Sequence, residues 1–264
     1  MENWCWIRED ILRIIIPYKD IDTTVYVLRS PEGLVLFDTA SSDEDMETYL
    51  LPLMQELELS VQDLRYIFIS HNHRDHARGL GCMTKAAPQA VVVSGNPDLK
   101  EAYGDRVLVP EDGMLLLNRF QVVTIPGHTA DSAALLDTQI NTLITGDCLQ
   151  MFGIYGSGQW GANISFPAEH LRAIEKVRRL QVESLLCAHI YHPFERDIQG
   201  QECVERALDA CVEPLMRIRQ LIFAYPELDD EGIRTKYHQG EYLPTVSDRV
   251  VAALRRALQE GSIV

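Results

Sequence analysis

The 264-residue sequence lacks several features that would place it in a particular class of protein. It has no apolar run near the roughly 18 residues that cross a membrane, and Met1–Trp6 lacks the basic and apolar zones of a signal peptide. Its six cysteines include no CxxC pair, which is typical of reduced, buried thiols and not of a disulfide framework. We therefore expect a cytoplasmic protein without a membrane segment.

Basic residues are also scarce. The sequence has 24 Lys and Arg against 39 Asp and Glu, which gives a formal net charge of -15. Nucleic acids are bound through Lys and Arg that displace their counterions, so this charge disfavours nucleic acid as a partner. The hydrophobic content of 46% is ordinary for a globular protein, and the length suits one large domain or a domain with an appendage.

Strand-like and helix-like patterns alternate over residues 1–200. Apolar and β-branched runs predict strands at 11–16, 24–29, 34–38, 65–70, 90–94, 106–109, 120–125, 133–137, 142–145 and 183–188. Helical spacing of apolar residues predicts helices at 43–57 and 167–180, and beyond residue 200 at 202–223 and 246–258. We therefore expect an α/β domain over 1–200 and a helical extension over 201–264. We expect the extension to pack on that domain, and a homodimer contact or a pocket wall are its alternative additional roles.

Metal-ligating residue types are concentrated in His71–His76, which reads His-Asn-His-Arg-Asp-His. The run follows the predicted strand 65–70, where side chains can converge on one point. Imidazole and carboxylate are the usual ligands of zinc and of first-row metals of similar hardness. A polar turn with incidental histidines is the weaker alternative, because burying such groups without partners is costly. The run therefore predicts a metal site whose remaining ligands lie elsewhere.

Three further candidate ligands follow the ends of other predicted strands: His128, Asp147 and His189. Counting ligands favours two metal ions, because two neighbouring cations can share a bridging carboxylate. The predicted assignment is His71, His73 and His128 for one ion, Asp75, His76 and His189 for the other, and Asp147 as the bridge. His170, in a predicted helix, and His238, in a polar segment, are interpreted as solvated surface histidines.

Other residues near these strand ends are candidates for substrate contact or for support of the ligands. Tyr191 and His192 follow His189 in the same loop, and His192 is the alternative last ligand. The stretch 150–166 alternates aromatic residues, among them Tyr155, with glycines. Such a loop predicts one wall of a substrate pocket, and a surface loop packed down by its aromatic residues is the alternative.

In order and in spacing, these motifs resemble those of the metallo-β-lactamase fold superfamily. They are His71-x-His73-x-Asp75-His76, His128, Asp147, His189 and the earlier Phe37-Asp38-Thr39. The resemblance covers residues 11–200 and implies a four-layer αβ/βα sandwich with a dinuclear site at one edge between two sheets. It also implies that Asp38 supports the metal site from behind the ligands. Asp147 together with His76 resembles the hydrolase branches, which include glyoxalase II-like and lactonase-like members.

The ligand set and the resemblance together predict a metal-dependent hydrolase acting on a small molecule. We expect two divalent metal ions, with zinc favoured and iron or manganese as alternatives. A hydroxide bound by both metals would cleave an ester, thioester or lactone, and Asp75 would orient it and pass a proton to the leaving group. The alternatives are a phosphodiesterase or nuclease, and an oxygenase that oxidises persulfides at a single iron. A sensor with a vestigial site is disfavoured by the complete ligand set.

Overall fold

The structure is a computed structural model, and it describes residues 3–154, 161–239 and 246–263. Over these residues it has a mixed α/β architecture with two sheets and a helical C-terminal region, as predicted. The strands are β1 (Trp4–Arg8), β2 (Ile11–Tyr18), β3 (Ile21–Ser30), β4 (Gly33–Phe37), β5 (Leu64–Phe68), β6 (Val91–Val93), β7 (Val107–Leu108), β8 (Leu115–Leu116), β9 (Phe120–Thr124), β10 (Ala133–Asp137), β11 (Thr142–Gly146), β12 (Ser184–Cys187) and β13 (Asp197–Gln199). The helices are α1 (Asp43–Asp45), α2 (Leu51–Glu56), α3 (Arg74–Ala77), α4 (Leu80–Ala86), α5 (Pro97–Tyr103), α6 (Pro167–Leu180), α7 (Gln201–Ala224), α8 (Asp230–His238) and α9 (Asp248–Gln259).

The chain divides into two compact units. Unit 1 contains the residues up to Thr124 together with Ala133–Gln139, and unit 2 contains Ile125–Ser132 together with the residues from Ile140 onward. This division differs from a boundary near residue 200, and the separation of 1–200 from 201–264 stays a prediction. None of the helices in the described ranges is both long enough and apolar enough to span a membrane.

Unit 1 contains a seven-stranded sheet whose strands follow the chain order from β1 to β7. Strands β1 to β4 are antiparallel neighbours, whereas β4, β5, β6 and β7 run parallel. Strands β8, β9 and β10 form a separate antiparallel ladder within the unit. The carboxyl ends of parallel strands lie at the same edge of a sheet. The loops after β4, β5 and β6 therefore start side by side.

The helical segment predicted over 43–57 spans Asp43–Glu56 and is not uniform. The Ser42 side chain caps its start by accepting a hydrogen bond from the Asp45 N–H at 3.1 Å. A π-helical turn over Met46–Leu50 precedes Pro52, whose nitrogen has no hydrogen to donate. The apolar face packs in the unit 1 core as predicted, through Met46, Leu50, Leu53 and Met54. Full burial of each such side chain stabilises the fold by about 1.5–3 kcal/mol.

Unit 2 combines a short sheet with the helical C-terminal region. Strands β11 and β12 run parallel, and β13 is antiparallel to β12. Helices α6, α7, α8 and α9 share one apolar cluster, which contains Ile164, Ala168, Leu215, Ile218, Ile222, Ile233, Tyr237, Val250, Val251 and Leu254. The extension therefore packs on α6, as expected, and buries the helical apolar positions that the sequence shows.

Several short elements were not predicted from the sequence. They are β1, β8, β13, α3, α4, α5 and α8. All of these except α8 have two to seven residues, which is too short to show a clear periodicity, and α8 buries only Ile233 and Tyr237. Asp75 and His76 belong to the helical turn α3, which the sequence analysis did not identify.

Candidate metal centre

Four of the predicted ligands lie in unit 1, directly after β5 and on α3: His71, His73, Asp75 and His76. The ligand atoms of His71 and His73 lie within 4.8 Å of each other. Asp75 Oδ2 lies 3.6 Å from His76 Nε2, and the rings of His71 and His76 are 4.2 Å apart between centroids. Unit 1 therefore contains two adjacent pairs of donors, His71 with His73 and Asp75 with His76. The sequence predicts a different ion for each pair.

Asp38 and Ser70 contact the Nδ1 atoms of the two fully buried imidazoles of this group, which are His76 and His71. Asp38 Oδ2 accepts hydrogen bonds from His76 Nδ1 at 2.7 Å and from Ser70 Oγ at 2.8 Å. Because Ser70 Oγ donates to Asp38, it can accept a hydrogen bond from His71 Nδ1, which lies 3.1 Å away. Both imidazoles then carry their proton on Nδ1 and keep the Nε2 lone pair for a ligand bond. Asp38 therefore contacts His76 directly and His71 through Ser70, and its support of a metal site stays a prediction.

The backbone around Asp38 is held in an uncommon conformation. Asp38 is fully buried with a φ of 63°, in the left-handed region that non-glycine residues seldom adopt. The next residue, Thr39, donates to the His76 carbonyl oxygen through its N–H at 2.7 Å and through Oγ1 at 3.1 Å. Burial raises the pKa of Asp38, and the neighbouring His76 and Ser70 act in the opposite direction. A strained, buried acid held against a ligand-bearing loop is typical of a functional site.

The other three predicted ligands lie in unit 2, and each follows a strand: His128, Asp147 and His189. Asp147 lies between the two histidines. Its Oδ2 is 3.7 Å from His128 Nε2, and its Oδ1 is 3.2 Å from His189 Nε2. Each carboxylate oxygen therefore faces a different imidazole, which is the arrangement that a bridging ligand needs. All three side chains are buried.

Backbone and phenol groups orient these unit 2 ligands. His128 Nδ1 donates to the Asn163 carbonyl oxygen at 2.6 Å, so this imidazole also keeps its lone pair on Nε2. The buried Tyr191 hydroxyl donates to Asp147 Oδ1 at 2.9 Å. Tyr191 therefore contacts a predicted ligand directly, and its role in substrate contact or in support of the ligands stays a prediction.

His170 was wrongly predicted to lie at the surface, because its side chain is fully buried. It lies in the first turn of α6 against the loop that precedes His128, and a Cβ atom at Gly127 would come within 2.7 Å of its Cβ. The His170 Nε2 donates to the Cys211 carbonyl oxygen at 3.2 Å, and burial lowers the pKa of His170 to about 4. His238 is also not fully solvated. It is half-buried, and burial lowers its pKa.

The remaining predicted site residues belong to the loops around His189. Within the described part of the chain, His189 and not His192 supplies an atom to the groups of candidate ligands. His192 is half-buried, and its N–H donates to the Gly153 carbonyl oxygen at 2.9 Å. Tyr155 lies outside the described residues, together with the rest of 155–160, so the predicted pocket wall stays a prediction.

Three residues that support the ligands were not identified from the sequence: Ser70, Gln150 and Asn163. Ser70 stands directly before His71 at the end of β5, and its position next to a ligand is a signal that could have identified it. Asn163 acts through its main-chain carbonyl, so its side-chain type carries no signal. Gln150 is three residues from Asp147, and its role depends on partners that are distant in the sequence.

A family comparison shows where the chain belongs. The family model described as metallo-beta-lactamase superfamily matches residues 19–189, which is more than half of the chain. The chain belongs to the metallo-β-lactamase superfamily. The match contains all seven of the predicted ligands, from His71 to His189.

Curated relatives within the superfamily include hydroxyacylglutathione hydrolases. The chain is 28% identical over 150 residues to that of Idiomarina loihiensis, which is 53% of each chain. It is 29% identical over 177 residues to that of Chromohalobacter salexigens, which is 64% of this chain and 66% of the relative. The matched part of this chain thus spans between about half and two thirds of these relatives' length.

Solved structures of the same fold include members with different chemistry. A metallo-beta-lactamase family protein from Thermus thermophilus matches with a TM-score of 0.66 and 17% identity, covering 97% of this chain and 95% of that one. The rubredoxin oxygen:oxidoreductase of Desulfovibrio gigas matches with a TM-score of 0.64 and 18% identity, covering 80% of this chain and 61% of that one. These likenesses confirm the predicted αβ/βα sandwich with a helical C-terminal region.

The donor set fits divalent metal ions. It consists of imidazoles and carboxylates, which suit zinc, iron and manganese. Hydrogen bonds of His71, His76 and His128 leave Nε2 as the coordinating atom in each case. In each unit the donors are grouped within a few ångströms, as a shared ion requires.

Proposed function

We propose that this protein is a metal-dependent hydrolase that cleaves an ester, thioester or lactone in a small molecule. The observation that carries the proposal is the Asp147 carboxylate, whose two oxygens face His128 and His189 separately. A carboxylate placed in this way is suited to bridge two metal ions. The hydroxyacylglutathione hydrolases among the relatives act, by their name, on an acylated glutathione. An acylglutathione contains a thioester, so their name favours thioesters within the proposed substrate class.

We further propose that the ligands of the two units combine into one dinuclear centre. One ion would be held by His71, His73 and His128, the other by Asp75, His76 and His189, with Asp147 shared. The closeness of His71 to His73 and of Asp75 to His76 in unit 1 supports this proposal, as does the position of Asp147 between His128 and His189 in unit 2. The assignment takes His189 as the last ligand, because its Nε2 lies 3.2 Å from Asp147.

The protein's own residues would place the reacting groups. Bound divalent ions would lower the pKa of a coordinated water and polarise the substrate carbonyl. Asp75 has a side chain that is 13% exposed, whereas the His76 side chain beside it is fully buried. Its carboxylate could therefore accept a proton from the attacking water and pass it to the departing thiolate or alkoxide. Asp38 and Ser70 would keep His76 and His71 in the tautomer that binds metal.

Removal of single ligands tests the proposal. We expect Asp147→Ala and His71→Ala to lose metal. Substitution of a group that only hydrogen-bonds to a metal ligand typically costs about 10- to 100-fold in activity, and loss of a ligand itself should lower turnover by more than that. The measurements are metal content by mass spectrometry, circular dichroism to verify folding, and hydrolysis of an acylglutathione thioester, an aryl ester and a lactone. Wild-type turnover in a variant with verified metal loss would contradict the mechanism.

Matched variants and substrates separate the competing interpretations. His189→Ala is expected to bind fewer metal ions than wild type, whereas His192→Ala keeps the full metal content whatever its effect on turnover. A phosphodiester and a persulfide, the latter followed by oxygen uptake, belong in the same screen. Activity on either one, without hydrolysis of any acyl compound, would replace the proposed substrate class.

A further inference from the structure

Gln150 occupies a buried position between three ligand-bearing segments of unit 2. Its side chain is 3% exposed and follows Asp147 by three residues. Its Nε2 donates to the Asp147 carbonyl oxygen at 2.8 Å and lies 3.4 Å from the Tyr191 hydroxyl. Its Oε1 accepts a hydrogen bond from the Asn163 N–H at 2.8 Å. One amide therefore contacts the segments that carry Asp147, Asn163 and Tyr191.

Each of these contacts leads to a proposed metal ligand. The Asn163 carbonyl accepts the proton of His128 Nδ1 at 2.6 Å. The Tyr191 hydroxyl donates to Asp147 Oδ1, the oxygen that faces His189. The amide of Gln150 thus lies at the junction of two hydrogen-bonded paths, one ending at His128 and the other at Asp147.

The partners also determine the orientation of this amide. A main-chain carbonyl can only accept and a main-chain N–H can only donate. The Nε2 must therefore face Asp147 and the Oε1 must face Asn163, because a flipped amide would lose both of these hydrogen bonds. Leaving a buried polar group unsatisfied costs about 1–3 kcal/mol, so the orientation is strongly preferred.

The backbone next to Gln150 adopts uncommon conformations. Met151, next to Gln150, has a φ of 42°, and Gly153 has a φ of 100°. A Cβ atom at Gly153 would come within 2.7 Å of the Gly161 backbone, so only glycine fits at this crossing. Isolated bridges join Gly153 to Gly161 and Ile154 to Tyr191. These features bring 150–154, 161–163 and Tyr191 together around the amide.

We propose that Gln150 is a positioning residue that holds Asp147 and His128 in place for metal binding, and so couples the two ion sites of the proposed centre. The inference rests on the proposed function in one respect, which is that Asp147 and His128 bind metal. Gln150 itself would touch neither metal nor substrate. Its removal should weaken metal binding and alter the coordination geometry, and not merely destabilise the fold.

A cobalt titration of the full-length protein, stripped of metal by a chelator, tests this role. Gln150→Leu has a similar side-chain volume and removes the hydrogen bonds to Asp147 and Asn163 together with the contact to Tyr191. We expect its Co²⁺ affinity to fall by about 10- to 100-fold, as for other groups behind metal ligands, and its visible Co²⁺ spectrum to shift. Gln150→Glu keeps an acceptor for the Asn163 N–H and should lie between Gln150→Leu and wild type. Tyr191→Phe removes the hydroxyl that contacts Asp147 Oδ1 and Gln150 Nε2 but keeps the path through Asn163, so it should lose less affinity than Gln150→Leu.

A structural control separates positioning from stability. Thr142→Val breaks a partly buried hydroxyl pair, in which Thr142 Oγ1 lies 2.7 Å from Ser184 Oγ, at the opposite end of β11 from Asp147. It should lower the melting temperature and leave Co²⁺ affinity and spectrum unchanged. Wild-type affinity and spectrum in both Gln150→Leu and Gln150→Glu would overturn the inference.

The same titration distinguishes this inference from the proposed function. If wild type binds Co²⁺ and the Gln150 variants bind it weakly, the inference stands even when no acyl compound is hydrolysed. If the variants bind Co²⁺ normally while wild type hydrolyses a thioester, the inference fails and the function stands. A wild-type chain that takes up no Co²⁺ overturns both.

Discussion

Hydrogen bonds determine which ring nitrogen carries the proton in three of the proposed histidine ligands. Asp38 and Ser70 place the protons of His76 and His71 on Nδ1, and the Asn163 carbonyl does so for His128. A neutral imidazole binds metal through its unprotonated nitrogen, so these partners decide which atom can coordinate. Cys211 shows the opposite situation, in which a reactive residue type is made inert by burial.

The Cys211 thiol should be unreactive in the folded protein. It is fully buried, and desolvation raises its pKa to about 12 from the ordinary value of 9.0. We expect native protein at pH 8 to be alkylated by iodoacetamide at the partly exposed Cys203 and at Cys211 only after unfolding. Peptide mapping of the labelled cysteines measures this. Rapid labelling of Cys211 under native conditions would contradict its burial.

The same pKa shift predicts a loss of stability at alkaline pH. The folded state favours the neutral Cys211 thiol, so its contribution is complete below pH 9 and is lost as pH rises from 9 towards 12. Within that window the loss is about 1.4 kcal/mol per pH unit. Urea unfolding should therefore show a smaller decline between pH 9 and pH 10.5 for Cys211→Ala than for wild type. Ile218→Val, a non-titrating core change, should lower stability equally at both pH values.

At the scale of elements, the ends of parallel strands place the ligand-bearing loops. Asp38, His71 and Asn96 follow β4, β5 and β6, which end at the same edge of the unit 1 sheet. The Asn72 Nδ2 donates to Asn96 Oδ1 at 3.1 Å and joins two of these loops. This contact gives a structural role to the residue between His71 and His73, which the motif alone leaves without one.

Close packing at the start of α4 should be sensitive to one added methyl group. A Cβ atom at Gly79 would lie 2.2 Å from the Thr39 carbonyl oxygen and 2.5 Å from Met46 Cγ. We expect Gly79→Ala to lower the free energy of unfolding by about 1–3 kcal/mol or more, because the loop after β4 must move. Since that loop also carries Asp38, metal affinity should fall as well. Urea denaturation and a Co²⁺ titration measure the two effects.

Gly81→Ala is the matched control for this change. Gly81 lies two residues further on, within α4, and the nearest atoms to its added Cβ atom would be those of the Asp43 carboxylate, at 3.1 Å. A side chain can adjust more easily than backbone, so the loss should be smaller and metal affinity should stay at the wild-type value. Equal losses in both variants would show that the contact with Thr39 is unimportant.

At the scale of the whole molecule, ligands come from both compact units. Unit 1 supplies His71, His73, Asp75 and His76, and unit 2 supplies His128, Asp147 and His189. If these residues share two ions as proposed, metal binding stabilises the fold of both units together. An ion that binds only the folded state at 100 times its Kd adds about 2.7 kcal/mol of stability.

Removal of metal should therefore lower the unfolding temperature of the entire chain. We expect a chelator to reduce Tm measured by calorimetry, and added Zn²⁺ to restore it. Asp147→Ala provides the control, since its Tm should respond weakly to both treatments. An unchanged Tm after verified removal of the metal would argue against a centre that both units share.

The sequence by itself determined the types of the candidate ligands, their order and the strands that precede them. The strand before His71 and helix α6 were predicted nearly to the residue, because local hydrophobic patterns encode such elements. The tertiary structure alone decided the burial of His170, the helical turn under Asp75 and His76, and the roles of Asn163 and Gln150. These features depend on main-chain groups and on partners distant in the sequence, and neither is visible in side-chain types read along the chain.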